Sequence, residues 1–306
     1  MKRNFGGVLN DSWKEYKANF WTFFKIIFFL YFMPIMIFTL LNFLSLFYFF
    51  GDLNILTSPD YGKIMINNSY NMPFISYILF LIPLYIILGL VYLIMSLSAI
   101  YCSINSNKKL SFSASLAGGK KHYWNYLKYN LVILGLIILF ILIIFVVFLP
   151  FTLLGIIGLI IGVLLMIFLT IAFIILMIKF GISWMFAPYL IVEQNKKAID
   201  SLKTSYHIVK GKWWGLFGYV ILLILIFFSI ALVVGLIQLM ISFILALPYI
   251  SLDFSAFLTG NLKVPLTITI IQQIIGPILN FLINIIAIPI LALFIKNLYF
   301  DIKKIS

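Results

Sequence analysis

The last long apolar run of this 306-residue chain contains Gln272, Gln273, Asn280 and Asn284. Gln273, Asn280 and Asn284 are spaced seven and four apart, which puts three amides on one face of a helix. Gly276 and Pro277 lie beside them, and Gln238 in the preceding apolar run is a candidate partner. An amide facing hydrocarbon leaves donors and acceptors unpaired, so amides in such runs usually hydrogen-bond between helices. Structural glue is therefore the default reading. The alternative is a polar lining for a lipid headgroup or a small solute. Pro34, Pro83, Pro277 and Pro289 support it, because prolines free helix carbonyls for a ligand. Prolines are also common in ordinary membrane helices.

Other chemistry is scarce. His122 and His207 are the only histidines, and each sits among lysines and aromatics, as in S-Y-H-I-V-K-G-K-W-W at 205–214. That setting suits a polar-face residue better than a general base. No H-E-x-x-H or G-x-S-x-G occurs, and Gly118-Gly119-Lys120 lacks the flanking residues of a phosphate-binding loop. Cys102 is the single cysteine, which excludes an intramolecular disulfide and leaves a small buried hydrophobe as its plain role. No metal site or cofactor is expected, and no enzymatic activity.

Residues of these kinds have to be held by membrane helices. Hydrophobic residues make up 64% of the chain and charged residues 9%, far from the balance of a soluble domain. Mean hydropathy is +1.19. Apolar runs exceed the ~18–20 residues a helix needs to cross a bilayer, and the alternation of a membrane barrel is missing. The sequence predicts an all-α integral membrane protein with six spans near 21–50, 74–104, 126–149, 153–180, 214–247 and 266–298. The third and fourth are divided by a tight uncharged turn at Leu149-Pro150-Phe151, close to Gly155. Gly158 and Gly162 give the fourth span a small-xxx-small face suited to close helix packing.

Charge orients the bundle. Lys63 and Lys263 fall in the first and last inter-span loops, whereas the other Lys and Arg lie in or beside the opposite connections and termini. Positive charge is retained on the cytoplasmic side, so both termini are expected there, in the cytoplasmic membrane. The net charge of +13 then reflects topology and attraction to anionic lipid, and not a nucleic-acid footprint. Lys25, Lys128, Lys179 and Lys296 lie near span ends, where their stems can snorkel. All eight acids, Asp11, Glu15, Asp52, Asp60, Glu193, Asp200, Asp253 and Asp301, fall outside the predicted spans.

A threefold repeat organises the chain. S-W-K-E-Y-K-A-N-F-W at 12–21, S-L-A-G-G-K-K-H-Y-W at 115–124 and the 205–214 stretch share a serine, a lysine and a closing aromatic pair. A +4, +3, +4 stripe runs through each copy: Leu9, Trp13, Tyr16 and Phe20; Phe112, Leu116, Gly119 and Tyr123; Leu202, Tyr206, Val209 and Trp213. Lys14, Lys17, Lys120, Lys121, Lys203, Lys210 and Lys212 occupy other positions. Such helices suit the headgroup plane, with Trp21, Trp124, Trp213 and Trp214 at the interface. The expectation is three hairpins in one membrane domain, as units of about 5–104, 108–180 and 196–298, each opened by an amphipathic interfacial helix.

The stretch 184–218 also carries a resemblance, through Pro188, Glu193, Leu202, Ser205, Gly211, Trp214 and Phe217. It resembles the membrane domain found with some bacterial glycerophosphodiester phosphodiesterases, and related uncharacterised six-span families of bacteria and archaea. The opening D-S-W-K-E-Y-K-A-N-F-W is similar to the N-termini of those proteins. In the fused members the hydrolase is a separate soluble barrel, so the resemblance implies no hydrolase activity for these residues.

Two functional expectations remain. The first is a non-catalytic, lipid-associated scaffold or accessory component that engages anionic lipid, either as a homo-oligomer or with an unidentified membrane partner. The second is a transporter or channel lined by the sixth-span amides. A solvent-connected polar cavity between the fifth and sixth spans would favour the second.

Overall fold

A computed structural model describes residues 3–50, 71–252 and 266–303, and every regular element among them is helical. Lys63 and Lys263, together with Asp52, Asp60 and Asp253, lie outside the described residues. Six helical stretches are long and apolar enough to cross a membrane. Three short helices precede the hairpins: α1 (Phe5–Ala18), α5 (Phe112–Lys120) and α9 (Ala198–Val209). The first span is α2 (Phe20–Ile27), a π-helical turn at Phe28–Phe32, and α3 (Met33–Phe50). The others are α4 (Asn71–Ile104), α6 (Tyr123–Thr152), α7 (Gly155–Trp184), α10 (Trp213–Leu252) and α11 (Leu266–Lys303). One further short helix, α8 (Ala187–Gln194), follows the fourth span.

Local chemistry sets several of these boundaries. The Asn4 side chain accepts from Gly7 N at 2.8 Å to cap α1, and Ser111 Oγ accepts from Ala114 N at 3.2 Å to cap α5. Pro150 sits inside α6 and not in the turn expected at 149–151. The chain reverses instead at Leu153-Leu154, where Gly155 takes φ +67°, a conformation glycine adopts without a Cβ penalty. Gly158 and Gly162 then face the Phe148-to-Leu154 segment so closely that a Cβ on Gly162 would meet the Phe151 Cβ at 2.9 Å. The glycine pair therefore packs the α6–α7 hairpin.

The buried core gathers at the end of the bundle that carries both termini. Val8 of α1, Leu97 of α4, Phe186, Leu190 and Ile191 in and beside α8, Leu216 of α10, and Phe294, Leu298 and Tyr299 of α11 pack together there. Helix α8, which no hydrophobic period announced, contributes a run of buried residues from Tyr189 to Val192. Away from that end the spans turn Leu, Ile and Phe outward. In the most hydrophobic window of α6 no residue is buried, whereas a third of the α11 window is. Helix α11 is thus the central one, and it extends past the expected end at 298 to Lys303.

The buried face of each short helix keeps part of the expected stripe, through Tyr16, Gly119, Leu202 and Val209, and is turned from it so that the shared serine points inward. Ser12, Ser115 and Ser205, the shared serines, are all completely buried. In α1 the inward residues are Val8, Ser12 and Tyr16 while Trp13 is exposed; in α9 they are Ser201, Leu202, Ser205 and Val209 while Tyr206 is exposed. Small residues allow close approach: a Cβ on Gly119 of α5 would stand 2.9 Å from the Ser98 backbone nitrogen of α4. Gly119→Ala should therefore destabilise the protein by about 1–3 kcal/mol, whereas Gly135→Ala, with nothing within 4 Å, should leave it almost unchanged. Thermal unfolding of both variants in detergent checks the contrast, and equal melting temperatures would refute the packing account.

Candidate functional site

The amides of the last span meet residues of two other spans around a cavity of about 380 Å³. Gln272, Gln273, Gly276, Pro277 and Asn280 of α11 form one wall. Gln238 of α10 forms a second, and Tyr31, Phe32, Ile35 and Thr39 of the first span form the third. A Cβ built on Gly276 would touch Gln238 Nε2 at 3.4 Å, so the glycine keeps the two helices in contact beside the opening. Tyr31 lies ten residues beyond Trp21, about 15 Å along a helix, and Thr39 lies further in. The cavity occupies the half of the bundle away from the termini.

Backbone irregularity converges on the same place. Tyr31 and Phe32 belong to the π-helical turn, a local irregularity that is frequent at functional sites. Pro277 has no N–H to give the Gln273 carbonyl. On the terminus side, the rings of Phe24, Phe28 and Phe32 pack round Phe281, with Phe32 at 4.4 Å between centroids. That aromatic stack separates the cavity from the core below it.

The amides divide into two kinds. Asn284 Nδ2 donates to Tyr31 Oη at 2.9 Å and to the Asn280 carbonyl at 2.8 Å, as interhelical glue should. The side chains of Gln238, Gln272, Gln273 and Asn280 make no hydrogen bond to the protein among the described residues. Unpaired amides at such depth call for water or a ligand. Among the described residues the lining carries no charged side chain. It suits an uncharged group that both donates and accepts hydrogen bonds, and offers nothing to neutralise an ion.

A second polar assembly closes the terminal end, and sequence reasoning missed it. Lys296 does not snorkel: it is buried and its ammonium sits 2.6 Å from Glu15 Oε2, with Ser106 Oγ at 3.3 Å. Asn297 Nδ2 donates to Ser12 Oγ at 3.1 Å. Arg3 pairs with Asp301 at 2.5 Å and Asp11 at 2.6 Å, and the hydrogen bonds it donates to Asp301 hold the guanidinium above its already high range in spite of partial burial. Glu193 accepts from Tyr299 Oη at 2.5 Å and from Lys303 at 2.8 Å. The spacing of four between Asn297 and Asp301, a polar stripe at the end of an apolar run, was the available signal.

The interface residues are placed as follows. Trp21, Trp124 and Trp214, equivalent in the three repeats, are 68%, 70% and 76% exposed. Lys14, Lys17, Lys120, Lys121, Lys203 and Lys210 are exposed as well, and Lys212 is half-buried. Trp213 differs from its neighbour: its Nε1 donates to the Lys179 carbonyl at 3.3 Å and its ring stacks on Phe217. His207 is exposed. His122 is half-buried with Nδ1 unpartnered, and burial first, then Lys121, hold it below its ordinary range while Asn195 opposes that shift.

Six apolar helices with a terminal core define a multi-pass helical membrane protein. Over residues 30–298 the chain matches the family described as Domain of unknown function (DUF7847), and it belongs to that family. The match brings no phosphodiesterase with it, so an uncharacterised family is what stands of the resemblance read from 184–218. No curated protein and no solved structure matches the chain.

Removing the carboxylate that faces Lys296 tests the terminal assembly. Glu15→Gln leaves a buried ammonium without its counter-charge and should destabilise the protein by about 3–5 kcal/mol. E15Q/K296M should recover most of that loss, as read from melting temperatures in detergent. A single variant as stable as wild type would show that the pair contributes nothing.

Proposed function

We propose that this protein is a non-catalytic membrane protein that binds a small uncharged, hydrogen-bonding solute and passes it across the bilayer. The observation that supports this reading is the set of four side-chain amides around the 380 Å³ cavity with no protein partner among the described residues. Cavities of this size hold small ligands, and a scaffold or accessory component needs none. The π-helical turn and Pro277 add locally loosened backbone at the cavity wall, as in transporter helices broken at the binding site. The ring stack about Phe281 is the barrier that would have to open on the terminus side.

The same reading places the protein in the cytoplasmic membrane with both termini on the cytoplasmic side. The exposed Lys and Trp at the ends of all three repeats favour contact with anionic lipid at that surface. A homo-oligomer or a membrane partner is compatible with the broad apolar exteriors of α6 and α7.

Stopped-flow light scattering of reconstituted vesicles, with glycerol, erythritol and urea as osmolytes, tests the transport reading. Wild-type vesicles should equilibrate at least one of these solutes faster than empty vesicles. Q238L/Q273L/N280L should return to the empty-vesicle rate with its melting temperature retained. Wild-type rates equal to those of empty vesicles for all three would return the scaffold reading to first place. The orientation has its own check: cysteines placed at Lys14 and Lys203 in a C102A background should be shielded in intact cells from a membrane-impermeant maleimide and labelled after lysis. Labelling before lysis would reverse the topology.

A further inference from the structure

A second cavity, of about 700 Å³, opens where the start of α6 meets α9. Its walls are Asn125, Lys128, Leu131 and Val132 from α6, and Lys197, Ala198, Ile199 and Asp200 at the entry to α9. Its chemistry is unlike that of the amide cavity. Two ammonium groups and one carboxylate line it, and among the described residues none of the three side chains has an ion-pair or hydrogen-bond partner. Neighbouring Lys196, by contrast, is engaged by Thr204 Oγ1 at 2.9 Å. Arg3, Lys296 and Lys303 at the terminal end are paired with carboxylates; Lys128 and Lys197 are instead unpaired lysines that share the wall of one cavity.

The position identifies the ligand class. Asn125 follows the exposed Trp124, and Lys128 lies one turn further into the span, at the level where headgroups meet hydrocarbon. Further along α6 the wall turns apolar through Leu131 and Val132, with Leu131 more than half exposed. A charged floor below an apolar rise matches one molecule with a phosphate at its polar end and acyl or isoprenoid chains at the other. Asp200 adds a preference. A carboxylate beside a phosphate is repulsive unless the ligand brings its own cation, which an ethanolamine headgroup does.

We propose that the α6–α9 cavity is a binding site for a glycerophospholipid with an amino-bearing headgroup, its phosphate held by Lys128 and Lys197 and its ammonium by Asp200. Asn125 serves as a further hydrogen-bonding group to the headgroup. The site is separate from the amide cavity and does not depend on solute transport.

Native mass spectrometry of the full-length, detergent-purified protein tests it, with phosphatidylethanolamine, phosphatidylglycerol and inorganic phosphate offered in turn. Wild type should retain phosphatidylethanolamine most strongly. K128Q/K197Q should lower retention of both lipids by about tenfold or more, the effect of losing at least one charge-assisted contact, and K128R/K197R should restore it. D200N should lower phosphatidylethanolamine retention and leave phosphatidylglycerol unchanged or increased. Unaltered retention in K128Q/K197Q would overturn the site. An unaltered lipid preference in D200N would overturn the assignment of the ammonium. Capture of inorganic phosphate as strongly as lipid would make this a free-anion site instead. If K128Q/K197Q does not purify folded, K128R/K197R and D200N decide the matter between them.

Discussion

The ammonium of Lys296, buried at the foot of the central helix, is neutralised by the carboxylate of Glu15, 281 positions away in sequence. A buried charge without a partner costs several kcal/mol, so this pair dictates that α1 lie against the end of α11. Ser12 to Asn297 and Arg3 to Asp301 extend the contact along both helices. Tyr219 Oη adds a hydrogen bond to the Arg3 carbonyl at 3.0 Å, which ties in α10. Once α1 is fixed, the short link through Asn19 leaves the first span little choice but to rise beside the last. The wall that Tyr31 and Thr39 present to the amides follows from a clamp formed at the other end of the bundle.

Two prolines in that helix show how context decides what a freed carbonyl becomes. Pro289 cannot donate to Ile285, and Tyr16 Oη supplies the missing hydrogen bond at 3.2 Å. Burial pushes that hydroxyl's pKa up to about 12, so it remains a donor. Pro277, three turns further along, stands at the wall of an open cavity. One proline is absorbed into the packed core and the other borders a polar space. The sequence rule is the same for both; the neighbours differ.

The repeat has a physical basis in the same economy of polar groups. A short helix seated on the end of a hairpin needs close approach and some way to satisfy its own polar side chains. A serine does both: Ser12 Oγ donates to Val8 O, Ser115 Oγ to Ser111 O, and Ser205 Oγ to Ser183 O. The lysines and the outer tryptophan then face away from the bundle in every copy. Each unit couples an exposed Lys and Trp surface to the packed base of its hairpin.

Much of this architecture was legible in the residues themselves. Apolar run lengths give the six spans because hydrocarbon admits only backbone that satisfies itself, and the recurring serine, lysine and aromatic pair give the three entry helices. The sixth-span amides announced themselves because polar groups are conspicuous in an apolar run. Sequence could not tell which amides were glue. Asn284 finds Tyr31 and Gln238 finds no partner among the described residues, a difference set by the distance between helices and not by any period along one of them. The inward face of α1, the burial of α8 and the pairing of Glu15 with Lys296 were equally out of reach. Local periodicity fixes which residues share a face, whereas only the closed bundle decides what that face meets.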